Sequence, residues 1–400
     1  MRVCVIYDCL FPYTVGGGER WYREVARRAA QDGHEVTYLT LRQWDAATAP
    51  DAGAGVAVRT AGPPMALYTA SGRRRILPPL VFGLGVFWHL LRNGRRYDVV
   101  DTCAFPYFSL LAAAALAPVM RYRLVVEWFE VWSAAYWREY LGAAGGRIGM
   151  LVQRLCALVP QRAICFSALH ADRLREEGLH GEVRVLRGLY TGVGRAERPR
   201  PADPVVLFAG RLIPEKRVTL AVAAVSLACK RVLGLRAVIL GDGPERDALE
   251  EAVRERGLQD VVSAPGFADA ETVEAEMTRA MCMLLTSSRE GYGMVVVEAA
   301  AQGTPSVVVA GEDNAATELI EEGVNGFISP LAEPQAIAQA IVAVAQAGMR
   351  LRESTAAWFT ANAERLSLES SLGQLMEVYA GAGGVAPGRD GDAGRESAAA

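Results

Sequence analysis

Short apolar runs alternate with amphipathic stretches of helical length along most of this chain. The runs cover residues 3–7, 36–39, 99–100, 124–126, 163–166, 205–208, 237–240 and 306–309, and the stretches between them include 19–30 and 245–256. A strand apolar on both faces must be covered on both faces, which is the condition of a parallel sheet flanked by helices. The alternation therefore predicts an α/β protein built of βαβ units. It breaks over residues 188–204, which are rich in Gly, Pro and Arg and end where a fresh apolar run begins. Such a break reads as a linker between domains. We expect two doubly wound, Rossmann-like domains, 1–190 and 205–352, joined by 191–204. They should face each other across a cleft, because ligands of such sheets bind beyond the carboxyl ends of the strands. The last periodic segment, 353–380, is expected to be helical, and the aperiodic 381–400 a disordered tail.

Composition narrows the function. A chain of 400 residues is too long for one ordinary core, and 51% apolar content is that of a folded protein rather than a disordered one. The seven cysteines are scattered without C-x-x-C spacing. That argues for reduced, mostly buried thiols and against a disulfide framework or a zinc site. The chain opens directly on the strand pattern RVCVIY rather than on a charged-then-apolar leader, so a cytoplasmic location is expected.

Charge is unevenly spread. Residues 1–200 hold 26 arginines against 17 acids, whereas residues 201–400 hold 16 basic residues against 28 acids. The first half should meet something anionic. Its most apolar stretch, ILPPLVFGLGVFWHLL at 76–91, is shorter than the ~20 residues that span a bilayer. Arg73, Arg74 and Arg75 precede it, and Arg92, Arg95 and Arg96 follow. A core helix and a helix lying on an anionic membrane surface are both consistent with this pattern. Nucleic acid is not an expected partner, since the overall charge is slightly acidic and no recognition motif is present.

Four stretches carry the chemistry. EGYGMVVVE places Glu290 in a glycine-rich turn after the apolar run 281–285 and Glu298 inside the following helix. Strand, glycine turn and helix start put unpaired N–H groups and a positive helix end in one pocket. Carboxylates on either side can accept hydroxyl hydrogen bonds, so a ligand with an anionic middle and hydroxylated ends, a nucleotide sugar, is indicated. VGGGER, at 15–20, allows close backbone approach to a phosphate at a second helix start. AGRLIPEKRV, at 209–218, carries Arg211 and Lys216 around a proline turn, a fork and a point charge able to clamp a diphosphate. Lys216 is one of only two lysines beside 40 arginines, which singles it out. LGDGPER, at 240–246, is a tight turn whose Asp242 could line a base or ribose, although a plain β–α turn explains it equally well.

In this order and spacing the four stretches resemble the retaining, nucleotide-sugar-dependent glycosyltransferases of family 4, glycosyltransferase group 1, of the GT-B fold. The resemblance spans residues 1–380 and is strongest in the second half. It implies that Glu290 binds donor-sugar hydroxyls and Glu298 the ribose, while Arg211 and Lys216 neutralise the diphosphate leaving group. Gly16 and Gly17 would offer N–H groups to that diphosphate. Gly291, Tyr292, Gly293 and Met294 would line the donor site, with the amides around Gly293 and Met294 adding to the anion pocket. No metal or other cofactor is implied, because cations and amides do the charge work. The first domain would hold the acceptor, a glycan, a lipid-linked saccharide or a small hydroxyl compound, and the C-terminal helix would cross back onto it. Peripheral attachment to the inner face of the membrane would suit a lipid-linked acceptor.

One departure stands out. Relatives commonly carry a His in a WHEVW-like run after the strand at 124–126, but here the run is EWFEVW, with Phe129 where that His is expected. Glu127 and Glu130 are the candidates for the missing polar contact with sugar or acceptor. Trp128, Trp132, Tyr136, Trp137 and Tyr140 could stack on a sugar, anchor at a membrane interface or pack a core. His34, His89, His170 and His180 lie in no catalytic context and read as structural. Two rival functions remain at this stage. One is a nucleotide-sugar epimerase, or a phosphorylase, on the same scaffold; the other is a non-catalytic sugar-nucleotide-binding protein, which Phe129 would favour. The base, the sugar and the acceptor are not specified.

Overall fold

The computed structural model describes residues 1–14, 16–45, 47–67, 69, 74–192 and 199–381. Val15 of the glycine-rich turn, Arg73 of the basic flank, residues 193–198 of the linker and the tail from 382 lie outside the described residues.

The first sheet holds β1 (Arg2–Ile6), β2 (Glu35–Thr40), β3 (Val56–Thr60), β4 (Val99–Cys103), β5 (Arg123–Trp128), β6 (Arg162–Cys165) and β7 (Val183–Val185), in the spatial order β3-β2-β1-β4-β5-β6-β7. Every pairing is parallel. Helices α1 (Gly17–Gln31), α2 (Leu77–Asn93), α3 (Phe108–Met120), α4 (Ala134–Leu158) and α5 (Ala168–Glu176) make the crossovers. The second sheet is built the same way. Its strands β8 (Val205–Ala209), β9 (Arg236–Leu240), β10 (Val262–Gly266), β11 (Cys282–Leu285), β13 (Ser306–Val309) and β15 (Gly326–Ser329) run in the order β10-β9-β8-β11-β13-β15. Helices α6 (Val218–Ala228), α7 (Arg246–Glu255), α8 (Ala270–Arg279) and α9 (Met294–Ala301) cover it, and two short strands, β12 (Arg289–Glu290) and β14 (Asp313–Asn314), pair beside it. In both sheets the order of connection reverses next to the first strand, which places a crevice at the carboxyl ends beside β1 and β8.

Central strands are buried along their length, as in β11 and β13, so they stand out in the sequence. The strands the periodicity did not reveal lie at edges. β3 is half exposed, β7 is only three residues long, and β10 contains Pro265 beside a register shift, which an edge position tolerates. β4 continues past the expected 99–100 through Asp101 and Thr102, both fully buried.

The crossing expected over 353–380 starts later than 353. Helix α10 (Pro334–Leu366) bends at Gly348, where φ is +56°, and stays on the second domain through Ser354, while Phe359 already meets Tyr190 of the first with ring centres 5.3 Å apart. Arg352 donates to the carbonyls of Ala280 and Thr278 at 2.6 and 2.7 Å, and Ser354 to that of Val324 at 2.6 Å. Ser367 makes the turn, and α11 (Leu368–Ala380) lies on the first domain. There Arg162 donates to the Val378 carbonyl at 2.8 Å, Arg184 pairs with Glu377 at 3.0 Å, and the Tyr379 hydroxyl donates to Asp101.

Candidate active site

The carboxyl ends of the two sheets enclose a cavity of about 620 Å³, within the ~300–1,000 Å³ usual for small-molecule sites. From the second domain come Arg211 after β8, Asp242 after β9, Phe267 after β10, and the turn 290–294 with Glu298 after β11. Gly17 and Gly18 at the start of α1, Phe129 and Glu130 after β5, and Phe166 after β6 close it from the first domain.

Local chemistry shapes each wall. Pro214 opens a 3-10 turn through Lys216, and Arg217 in the left-handed region starts α6. The Thr286 hydroxyl donates to the Lys216 carbonyl at 2.7 Å, and the Ser288 amide to that of Glu215 at 2.8 Å. These bonds stitch the Lys216 turn to the segment leading into Glu290. The Lys216 ammonium pairs with the Glu290 carboxylate, which also accepts from the Ser287 hydroxyl at 2.9 Å. Arg211 is exposed and lines the cavity without an ion pair among the described residues. Gly293 caps α9 with φ +97°, and a β-carbon there would lie 2.5 Å from that of Ala316, so glycine is required. Glu298 stands one turn into α9, and burial raises its carboxyl pKa, an effect Arg20 opposes.

Two helix starts meet across the cleft. A β-carbon on Gly17, at the head of α1, would lie 3.9 Å from the sulfur of Met294, at the head of α9. Unpaired N–H groups and positive dipole ends thus converge on one cavity with Lys216 and Arg211. That is a site for a multiply charged anion, bracketed by the carboxylates of Glu290, Glu298 and Asp242.

Several expected placements are corrected. Gly16 does not line the cavity; it caps α1 with the Glu19 carboxylate folded over it, and Gly18 stands in its place. Glu127 is not in the cavity either. β5 runs on through Trp128, so Glu127 points into the core, accepts from the Trp21 indole and is fully buried beside Asp101. Burial drives its pKa well above the usual carboxylate range, and drives Asp101 up to about 7. Phe129 stacks on Phe166 at 4.8 Å with planes 8° apart, so an apolar wall occupies the expected position of the His. Trp128, Trp132, Tyr136 and Trp137 are buried. His170 is buried too, accepts from the Val131 amide at 3.1 Å and is held neutral, its pKa lowered to about 4 mainly by burial. The remaining expected residues, Gly17, Glu130, Arg211, Lys216, Asp242, Glu290, Gly291, Tyr292, Gly293, Met294 and Glu298, share the cavity.

Sequence reasoning missed Phe166, Phe267 and Arg289, and had Gly18 only as one of the three glycines of the 15–20 turn. Phe267 is 86% exposed at the cavity rim, but an isolated Phe after an edge strand carries no periodic signal. Arg289 had one available signal, its place directly before Glu290. No group of three or more His, Cys, Asp or Glu side chains that could hold a metal occurs among the described residues.

Two family profiles tile the chain. One described as Glycosyltransferase Family 4 matches residues 15–188, and one described as Glycosyl transferases group 1 matches residues 195–357. The alpha-D-kanosaminyltransferase of Streptomyces kanamyceticus is 28% identical over 57% of this chain and 56% of its own length. The lipopolysaccharide core biosynthesis glycosyltransferase LpsE of Rhizobium meliloti is 30% identical over 44% of this chain and 52% of its own. The matches thus span about half the length of these curated relatives. The crystal structure of Anabaena Alr3699/HepE in complex with UDP-glucose has the same fold, with a TM-score of 0.68 and 20% identity over 95% of this chain and all of that one. Two parallel-sheet domains meeting at a cleft are the GT-B arrangement, and this chain belongs to the group 1 glycosyltransferases.

Proposed function

We propose that the protein moves a sugar from a nucleotide diphosphate sugar to a hydroxyl acceptor with retention of configuration, and needs no metal to do so. The meeting of the α1 and α9 starts with Lys216 and Arg211 on one cavity carries this reading. A complex of a structural neighbour with UDP-glucose supports the donor class. In this reading the diphosphate lies between the helix starts, with the sugar toward Glu290 and the ribose toward Glu298. The base lies against the apolar wall of Leu240, Phe267, Ala268 and Val273. As the C1–O bond lengthens, negative charge grows on the leaving phosphate oxygen. Lys216, Arg211 and the fixed amides stabilise it more in the transition state than in the ground state. The acceptor hydroxyl attacks the oxocarbenium-like carbon from the face the phosphate leaves. Its proton passes to that phosphate, so no protein nucleophile is needed.

The partner on the first domain is proposed to be an anionic membrane surface presenting a lipid-linked acceptor. No helix among the described residues is long and apolar enough to cross a membrane. Helix α2 buries one face, yet leaves Leu77, Leu80, Leu84, Trp88 and Leu91 exposed, with Arg92 stacked on Trp88 at 5.1 Å and Arg95 and Arg96 exposed beyond. An apolar stripe ending in arginines suits an anionic interface.

Incubation with UDP-, GDP-, ADP- and TDP-sugars, followed by nucleotide release, tests the reaction. Product NMR distinguishes the rivals, since an epimerase converts donor without acceptor and a binding protein converts nothing. Sedimentation with phosphatidylglycerol vesicles tests the membrane partner; equal binding to phosphatidylcholine, or none, removes it.

A further inference from the structure

The strongest unexplained cluster lies beside the cavity. The Arg289 guanidinium lies over the corner made by two aromatic rings of the first domain, 5.0 Å from the centre of Trp132 and 4.5 Å from that of Tyr136, the rings themselves meeting edge to face with centres 4.8 Å apart. It pairs with Glu130 of the first domain and, at 3.7 Å, with Glu215 of the second. Glu130 also accepts from the Trp132 indole at 2.8 Å, and the Tyr136 hydroxyl donates to Glu215 at 2.9 Å. Burial lowers the pKa of Arg289 to about 10, which leaves it charged at neutral pH. A charge so far withdrawn from water needs both carboxylates and both ring faces.

The sequence neighbours of this cage matter. Glu215 directly precedes Lys216, and Arg289 directly precedes Glu290. In each pair the first residue is gripped by the first domain, and the second lines the cavity and meets its counterpart in the Lys216–Glu290 ion pair. Closing the cleft therefore draws on both backbone segments that carry the charged groups.

We propose that Arg289 is a positioning residue, the key of an interdomain lock. Its seat on Trp132 and Tyr136, with Glu130 and Glu215, aligns Lys216 and Glu290 only when the two domains are closed. The inference rests on the glycosyl-transfer reading. The arrangement favours a planar cation, since a guanidinium can pair with both acids while lying over the two rings, whereas an ammonium is a point charge that cannot serve all four at once. Positioning errors near 1 Å cost roughly 100-fold in rate.

The test uses the full chain, R289A, R289K, W132F and W132A, with the nucleotide sugar that the wild type turns over and its free nucleotide as the binding probe. R289A is expected to lose roughly 10- to 100-fold in kcat and only a few-fold in nucleotide affinity, and to scatter X-rays as a more open particle. R289K should fail to restore kcat, whereas W132F, which keeps a ring face, should retain most of it and W132A should not. R289A with wild-type kcat and scattering, or full rescue by R289K, overturns the lock. If R289A does not fold, W132F against W132A decides alone, because W132A turning over as fast as W132F also overturns it. A wild type that turns over no nucleotide sugar while R289A still opens refutes the reaction rather than the lock.

Discussion

Gly291→Ala probes the closed cleft with one methyl group. A β-carbon at 291 would stand 2.6 Å from the Phe129 carbonyl oxygen and 3.0 Å from the Glu130 side chain. To reach ordinary contact at 3.4 Å, the loop must retreat by 0.8 Å. Retreat is resisted on the far side, where the Phe129 ring stacks on Phe166 at 4.8 Å. The strain of such overpacking is of order 1–3 kcal/mol. Because 291 lies on the interdomain seam, the cheapest relief is to part the domains rather than to unfold either one. A displacement approaching 1 Å across a reacting centre costs roughly 100-fold, about 2.7 kcal/mol of activation free energy. The expected outcome is therefore a kcat near one hundredth of wild type in a nucleotide-release assay, with little change in melting temperature. Wild-type kcat/KM in a folded G291A protein would refute the reasoning, because the seam would then not be the productive geometry.

Lys216→Met should lower kcat by about 10²–10³-fold, as does loss of one preorganised donor at a developing anion, with a smaller effect on nucleotide affinity by calorimetry. Asp101 has its pKa raised by burial from 3.8 to about 7, so between those values the folded chain holds a proton that the unfolded chain has released. Stability therefore falls as the pH climbs from about 4 toward 7, and the adjoining Glu127, raised by the same burial, adds to that slope. Asp101→Asn should make that part of the denaturation-versus-pH curve shallower, Glu127 keeping the remainder, and an unchanged slope would count against the burial argument. Six cysteines are buried and Cys229 is partly exposed, so a thiol reagent should label the native protein in one fast phase that Cys229→Ser removes; a fast phase surviving that change would contradict the packing.

Much of the architecture and part of the site were legible in the chain, for different reasons. Central strands such as β11 and β13 are covered on both faces, so their burial is written as unbroken apolar runs that need no partner to be recognised. Edge strands such as β3 and β10 are half wet, carry polar residues or proline, and leave no such trace. Within the site, Lys216, Glu290 and the glycines after β11 were readable because a charge beside a glycine turn at a helix start has local meaning. Glu127 was misread because its role depends on how far β5 extends, which neighbouring strands decide through pairing. Arg289 was passed over because its partners are all far away in sequence, both rings and Glu130 arriving from the other domain and Glu215 from a distant turn of its own.

What the chain determined by itself was the alternation of strand and helix, the break between its halves and most of the charged and glycine-rich turns that line the cavity. These depend on short-range periodicity and backbone chemistry, which a linear sequence carries directly. Which of two adjacent glycines faces the cleft, which glutamate is buried and which is wet, and which groups of the first domain meet Arg289 were settled only by tertiary structure. Each depends on groups distant in sequence being brought within a few ångströms, and no local pattern encodes that distance.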